Sequence, residues 1–295
     1  MKLTGMLIVR DEADIVRTAL RHHFRLGLDE IIVMDDSSTD GTERILARMA
    51  KTHPIRVIPH SGPFAQLDML NELAREAMKR GADWIIPFDV DEFWHLPGTD
   101  LRSLLPMMQD SGIGAIQAQV HNFIQWRGQR DSTPGCLLNM TQRAVKVYAD
   151  HSEVSLVKER RISFVEAYFP PKWIFRSSPE LRMQKGNHLV EGVIGDKVET
   201  DHAVVLHAPI RSFHRLIKKA QHAARIKGTF VKPGDSWHTF RWDDIMNENQ
   251  LEAEWRANSY DEHGLDVYGT PRLVVPDFTL RNVLRPLLRW PWDRR

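Results

Sequence analysis

Trp84-Ile-Ile-Pro-Phe-Asp-Val-Asp-Glu-Phe93 is the stretch on which the fold turns. An unbroken apolar run ends at three carboxylates, Asp89, Asp91 and Glu92. Such a short run suits a strand buried on both faces. Toward the N-terminus, Gly5–Val9, Glu30–Met34 and Ile55–Ile58 read as three more strands. Helical periodicity fills the gaps, over Asp14–Leu26, Thr42–Ala50 and Phe64–Arg80, and Gly27 and Gly81 stand where helix stops do. Alternation at this spacing predicts an α/β fold of βαβ units: a mostly parallel sheet, right-handed crossovers and helices on both faces.

The rhythm changes after residue 98. Leu101–Gln109 reads as a helix; Gly114–Ile124, Val145–Tyr148 and Val204–His207 read as extended; Phe213–Ile226 is a basic helix and Asn247–Ala257 a Glu-rich one. This second half is α+β in character and is expected to complete the site of the first. The organisation expected is 1–98 as a ligand-binding half, 99–230 as a site-completing half of the same domain, and 231–295 as a C-terminal helical extension.

Composition excludes several classes. The chain has 295 residues, with 40 Lys and Arg against 39 Asp and Glu, a net charge of +1. That balance gives no global pull toward nucleic acid or an anionic membrane. A hydrophobic fraction of 42% with 27% charged residues is that of an ordinary globular protein rather than a disordered one. Cys136 is the single cysteine, so no intramolecular disulfide and no thiolate zinc cluster can form, in keeping with a reducing compartment. No run reaches the roughly 18 apolar residues of a bilayer span. The apolar Met1–Val9 stops at Arg10, Asp11 and Glu12, too short for a signal peptide, and the expected location is the cytoplasm. The tail Leu287-Leu-Arg-Trp-Pro-Trp-Asp-Arg-Arg295 mixes Trp with Arg as interfacial segments do, which gives an expectation of peripheral membrane contact.

Three acidic clusters carry the chemistry. In an extended segment side chains two apart share a face, so Asp89 and Asp91 are expected to face one site. Like charges that close call for a cation or a proton, and hard oxygen ligands select Mg²⁺ or Mn²⁺. The other reading of a lone D-x-D is a solvated acidic turn, and Phe93 and Trp94 directly after it weigh against that reading. The second cluster is Asp35-Asp-Ser-Ser-Thr-Asp-Gly41. Asp40 or Thr39 as a helix N-cap explains part of it, but not the adjacent Asp35 and Asp36. The third, Arg10-Asp-Glu-Ala-Asp14, alone reads as an ordinary helix entry. Together they place acidic groups at the carboxyl ends of three strands, where open α/β sheets bind ligands. Rival chemistries lack their signatures. Phe93 occupies the last place of the D-x-D-x-[TV] pattern of aspartyl phosphotransfer, and neither G-x-G-x-x-G nor a Walker loop is present.

The order Val9-Arg-Asp-Glu-Ala-Asp14, Asp35-Asp-Ser-Ser-Thr-Asp-Gly-Thr42, Phe88-Asp-Val-Asp-Glu-Phe93 resembles the GT-A glycosyltransferases, in the family 2-like branch that shades into family 92. Lys172-Trp-Ile-Phe-Arg176, Gly186-Asn-His188, and His207-Ala-Pro-Ile-Arg-Ser212 with Lys218 resemble that branch's later motifs more loosely. Two features depart from it: Asp11 stands where family 2 often has Asn, and no Glu-Asp pair matches the usual general base.

The resemblance implies a Rossmann-like nucleotide-diphospho-sugar transferase fold. It implies a metal-dependent glycosyltransferase, hexosyl transfer being the usual case, moving sugar from a nucleotide-sugar donor, UDP above all, to a glycan or lipid-linked acceptor in cell-surface or exopolysaccharide synthesis. By it, Arg10, Glu12, Asp35 and Asp36 hold the nucleoside with Gln66 nearby. Asp89 meets ribose or metal, and Asp91 holds the Mn²⁺ or Mg²⁺. His188 and His207 are candidate metal ligands, the other reading for each being a hydrogen-bonded structural histidine. Glu191 is the candidate base, otherwise a solvated loop residue. Lys172, Arg176, Arg211 and Lys218 are candidates for diphosphate or acceptor contact, otherwise a solvated basic face. The rival function is a non-catalytic nucleotide- or carbohydrate-binding module on the same fold.

Overall fold

The computed structural model describes residues 1–144, 153–184, 188–226, 228 and 237–288. In chain order come β1 (Leu3–Val9), α1 (Val16–Arg25), β2 (Glu30–Asp36), α2 (Thr42–Met49), β3 (Ile55–His60), α3 (Gln66–Lys79), β4 (Trp84–Pro87), β5 (Glu92–His95), α4 (Leu101–Asp110), β6 (Ile113–Trp126), β7 (Gln142–Ala144) and α5 (Glu153–Lys158). There follow β8 (Lys172–Arg176), β9 (Arg182–Gln184), β10 (Leu189–Glu191), β11 (Asp196–His207), α6 (Phe213–Ile226), α7 (Trp237–Asn247), α8 (Leu251–Ala257), β12 (Ser259–Asp261), β13 (Gly264–Val267), β14 (Thr270–Arg272), β15 (Val274–Pro276) and α9 (Thr279–Leu284). Among the described residues no helix is long and apolar enough to cross a membrane.

The chain divides into two compact units, Met1–Val120 with Pro170–Leu206, and His121–Phe169 with His207–Arg295. Both are discontinuous, so the boundaries expected at 98 and 230 are not where the chain parts. The physical reason is β8: it returns to the first unit and pairs antiparallel with both β4 and β6.

In the first unit β1 pairs parallel with β2 and β4, and β2 pairs parallel with β3. The expected parallel core is present, with β8 as an antiparallel strand beside it. One face of this sheet carries Met6, Ile32, Met34, Ile85 and Phe175, and α3 covers it with Met69, Leu70, Leu73, Ala74 and Ala77. Their spacing is that of a helical stripe, and each fully buried leucine or isoleucine contributes about 1.5–3 kcal/mol. The opposite face is tight at Gly5: a Cβ there would lie 2.7 Å from Leu28 and 3.1 Å from Phe88. Phe88 in turn stacks on His23 of α1, ring centroids 3.6 Å apart. Helices thus cover both faces.

The second unit is built around α6, α7 and α8, whose Leu216, Ala220, Ala223, Trp242, Ile245 and Trp255 pack with Phe164 and Ile210. Arg241 and Glu254 form a buried ion pair at 2.5 Å, joined by the Tyr268 hydroxyl 2.9 Å from Arg241. The helix expected over Asn247–Ala257 is shorter: α7 ends at Asn247, Asn249 takes a left-handed turn with φ 57°, and α8 runs only over Leu251–Ala257. The extended stretch expected at Val145–Tyr148 and most of the 284–295 tail lie outside the described residues.

His22 and His23 are buried beside the apolar flanks of the acidic turn. His22 Nε2 bonds to the Trp94 carbonyl at 2.7 Å, and His23 Nδ1 to the Ala19 carbonyl at 2.8 Å. Burial lowers the His22 pKa to about 4 and pushes His23 well below the usual histidine value. Both rings are therefore neutral in the native state. Below pH ~6.5 the unfolded chain takes up protons that the folded chain refuses, until about pH 4 for His22. Stability is therefore present above pH ~6.5 and falls as pH falls through this window, by about 2 kcal/mol for His22 alone between pH 6.5 and 5. Urea denaturation at pH 7 and pH 5 measures it. His23→Phe, which keeps the stack and removes one titrating ring, is expected to flatten the pH dependence; an unchanged slope would remove His23 from this account.

Candidate functional site

Strands β1, β2 and β4 end side by side. Val9 lies opposite Asp35, and Met6 opposite Pro87. The chain after each strand therefore emerges at one carboxyl edge, the ligand-binding edge of open α/β sheets.

The loops after β1 and β2 are knitted together. Asp11, in a left-handed conformation with φ 52°, accepts from the Thr39 backbone N–H at 2.6 Å and from the Thr39 hydroxyl at 3.2 Å. In return the Asp11 N–H donates to Ser38 Oγ at 3.0 Å, the Glu12 N–H to Thr42 Oγ1 at 2.8 Å, and the Ala13 N–H to Asp40 Oδ2 at 3.0 Å. Partial burial pushes the Asp11 carboxyl up, but the Thr39 donors and Arg10 outweigh it and leave the pKa lowered. Asp40 Oδ1 also accepts from the Thr42 N–H at 3.0 Å, while Gly41, φ 100°, is the residue that caps α2. These contacts explain the Ser-Ser-Thr-Asp run better than capping alone.

Asp35 and Asp36 continue β2, which is longer than expected. Asp35 Oδ1 accepts from the Ser38 N–H at 3.2 Å. Asp36, 1% exposed, binds His60 Nδ1 at 2.9 Å and lies 3.6 Å from Arg10 Nη1, which also donates to the Asp36 carbonyl. His60 was not among the residues expected at the site. Its signal was its place at the end of β3, one strand over in the same register. Gln66 is the exposed first residue of α3.

The D-x-D segment differs from expectation. Asp89–Glu92 is a turn, closed by the Glu92 N–H on the Asp89 carbonyl at 3.0 Å, so the two-apart rule for extended chain does not apply. Asp89 and Asp91 still act on one another electrostatically, and Glu92 on both. Glu92 Oε2 accepts from the Asp89 N–H at 3.1 Å, which fixes the turn from within. Lys172, the first residue of β8 and 3% exposed, places Nζ 2.8 Å from Glu92 Oε1 and 3.1 Å from Asp89 Oδ2. Burial raises the Asp89 carboxyl, but the Lys172 charge outweighs it and its pKa is lowered. Burial, with the Asp89 and Asp91 charges, pushes the Glu92 carboxyl upward, and the Lys172 ammonium 2.8 Å away pulls against that push and holds the pair ionised. Glu92 was read as part of the acidic cluster but not as a site residue; its place directly after Asp91 was the signal.

His188 also acts on Asp89 and Lys172. Its Nδ1 donates to the Pro170 carbonyl at 3.1 Å, and burial, with Lys172, lowers its pKa to about 3. A neutral ring with the proton on Nδ1 leaves the lone pair on Nε2, as a metal-binding histidine requires. Glu191 is exposed on β10, opposite Arg182.

Arg176 is a correction. It lies opposite Trp84, at the start of β4, whereas Lys172 is at the other end of the same antiparallel strand. Four residue steps of extended chain are about 13 Å, so of these two candidates for diphosphate or acceptor contact only Lys172 stands at the carboxyl edge. His207, Arg211 and Lys218 belong to the second unit. His207 Nδ1 bonds to Asn122 Oδ1 at 2.9 Å and its ring meets Phe169 edge-on. Arg211 is buried, its carbonyl accepting from Gln125 at 2.8 Å, and Lys218 is exposed on α6.

Over residues 6–155 the chain matches the family described as Glycosyl transferase family 2. The match spans half of the sequence, and the chain belongs to that family: it is a glycosyltransferase. Among solved structures it is similar to S. aureus TarS 1-349 in complex with UDP, at 13% identity over 87% of this chain and 71% of that one, with a TM-score of 0.44. The same protein with UDP-GlcNAc gives 14%, 88%, 72% and 0.44. GalNAc-T7 with UDP, GalNAc and Mn2+ gives 12% identity over 84% of this chain and 54% of that one, with a TM-score of 0.42. No curated protein matches the sequence.

Asp36→Ala is expected to remove the carboxylate that Arg10 and His60 share, at a cost of about 1–3 kcal/mol in unfolding free energy. Chemical denaturation checks it; a loss under about 0.5 kcal/mol, the level of an ordinary surface substitution, would show that Asp36 is not the tie between the strands.

Proposed function

We propose that this glycosyltransferase is metal-dependent, takes a UDP-sugar as donor and glycosylates a glycan or lipid-linked acceptor of cell-surface or exopolysaccharide synthesis. The observation that carries the reading is the Asp89–Glu92 turn at the carboxyl edge, beside the knitted loops after β1 and β2.

The residues fit a divalent cation. Asp89 and Asp91 are hard oxygen donors in one turn, and the neutral His188 ring beside Asp89 has its lone pair on Nε2. Among the described residues no three His, Cys, Asp or Glu side chains are gathered as a complete metal site. Mg²⁺ and Mn²⁺ take one or two carboxylates from the protein and complete their shell with water and substrate phosphates, so the fit rests on Asp89 and Asp91. Asp89 and Asp91 would hold the ion, with His188 the candidate third ligand. A bound divalent cation offsets the charge that builds on the diphosphate leaving group.

In the reaction the acceptor hydroxyl oxygen forms a bond to the anomeric carbon. The bond from that carbon to the diphosphate oxygen breaks, and its electron pair leaves with the diphosphate. The hydroxyl proton passes to a carboxylate, for which Glu191 is the proposed group. Arg10, Asp35 and Asp36 would shape the nucleoside pocket, Asp36 chiefly by holding Arg10 and His60 in place.

A thermal-shift series with UDP, GDP and CDP, each with and without Mn²⁺, tests the reading. UDP with Mn²⁺ is expected to raise the midpoint, in proportion to a stabilisation of about 2.7 kcal/mol at a hundredfold excess over Kd. Asp91→Asn is expected to lose the Mn²⁺-dependent part and to stay folded. A shift that ignores Mn²⁺, or that Asp91→Asn retains in full, overturns the metal assignment.

A further inference from the structure

Lys172 is buried at 3% exposure, and its ammonium lies within 3.1 Å of two carboxylates. Its backbone is fixed in β8, which continues into Trp173, Ile174 and Phe175 of the core. An ammonium bonded to two carboxylates of the Asp89–Glu92 turn is held toward that turn rather than out toward a phosphate. A fixed positive charge there acts on an incoming cation in a definite sense. It repels the cation, and it draws charge density from Asp89, an oxygen donor the cation would use.

We propose that Lys172 is the resident counter-ion of the Asp89–Glu92 turn, a positioning residue that sets how tightly Asp89 and Asp91 take a divalent cation. This rests on the divalent-cation reading above. Glu92 has a part in it. By taking the shorter of the two bonds to Lys172, it draws the ammonium toward itself and leaves Asp89 more of its charge. Neutralising Glu92 would leave the ammonium bearing on Asp89 alone. Lys172 therefore weakens cation binding and Glu92 strengthens it, and the two effects have opposite signs at one site.

The test is Mn²⁺ binding by the full chain, followed by electron paramagnetic resonance of the free ion, with no substrate and no turnover. Lys172→Met removes the charge at nearly constant volume and is expected to tighten Mn²⁺ binding by at least about tenfold. Lys172→Arg keeps the charge and is expected to stay near wild type. Glu92→Gln is expected to weaken binding by at least about tenfold. A purely structural role for Lys172 predicts weaker binding in Lys172→Met. Binding in that variant equal to or weaker than wild type overturns the inference while leaving the metal reading in place. Should Lys172→Met not fold, Lys172→Gln, which also removes the charge but keeps a donor toward the two carboxylates, decides in its place, and binding there equal to or weaker than wild type overturns the inference. Absence of Mn²⁺ binding in every form, wild type included, overturns both this inference and the metal reading.

Discussion

Carboxylates cannot be gathered at one edge of a sheet unless each is answered. Parallel pairing of β1 with β2 and β4 forces that gathering, because whatever follows each strand must emerge on the same side. Here the carboxylates whose partners the structure shows are Asp11, Asp35, Asp36, Asp40, Asp89 and Glu92. The chain answers them by two different means. The outer loops use neutral donors: Thr39 for Asp11, Ser38 for Asp35, and the Thr42 N–H for Asp40. Each such bond contributes about 1 kcal/mol, little affected by salt. At Asp36 and at the acidic turn, cations take part, with Arg10 beside the buried Asp36, which His60 also bonds through Nδ1, and the buried Lys172 on Asp89 and Glu92. Coulomb attraction is stronger there, and so is the penalty for an unanswered charge.

Much of this was legible along the chain, because strands buried on both faces write themselves as apolar runs. Ile31–Met34 and Trp84–Ile86 lie in β2 and β4, and the basic helix read over Phe213–Ile226 matches α6 residue for residue. What escaped is non-local. Nothing within Lys172-Trp-Ile-Phe-Arg176 says that it runs antiparallel beside β4, yet that direction decides which of Lys172 and Arg176 reaches the carboxyl edge. The turn at Asp89–Glu92 escaped for a different reason: a hydrogen bond from the backbone of one acidic residue to the carbonyl of another has no signature in residue type. Helix α7 was hidden because it buries Thr239, Arg241 and Asp243 alongside Trp242 and Ile245, so no clean apolar stripe appears. Paired buried polar residues erase the pattern from which helices are read.

The acidic turn is held from behind as well as by charge. Phe88, directly before Asp89, is pinned against His23, and Trp94, two residues after Glu92, gives its carbonyl to His22. The indole N–H of Trp94 closes the loop on the Pro87 carbonyl at 3.2 Å. Both shoulders of the turn are thus anchored in the core, and the two histidines serve as neutral polar groups rather than as ligands. Rigid anchoring matters for catalysis because charged groups aimed in advance at a developing charge need no reorganisation when the reaction occurs.

Lysine is the cation suited to this place. Arginine offers a flat fork that matches one carboxylate at a time, whereas an ammonium is compact and points three N–H bonds in different directions. Two carboxylates from one tight turn, one on Asp89 and one on Glu92, are met most compactly by a donor of the second kind, although the charge itself is one that either cation supplies. The residue must also be stationary, and a lysine on a loop would be free to swing toward any passing anion. At the first position of β8, with Trp173 to Phe175 buried behind it, Lys172 has its stem fixed by the same strand pairing that completes the sheet. The insertion of β8 between β4 and β6 breaks the simple parallel order, and the same insertion brings a positive charge to the one edge where the parallel order had concentrated negative ones.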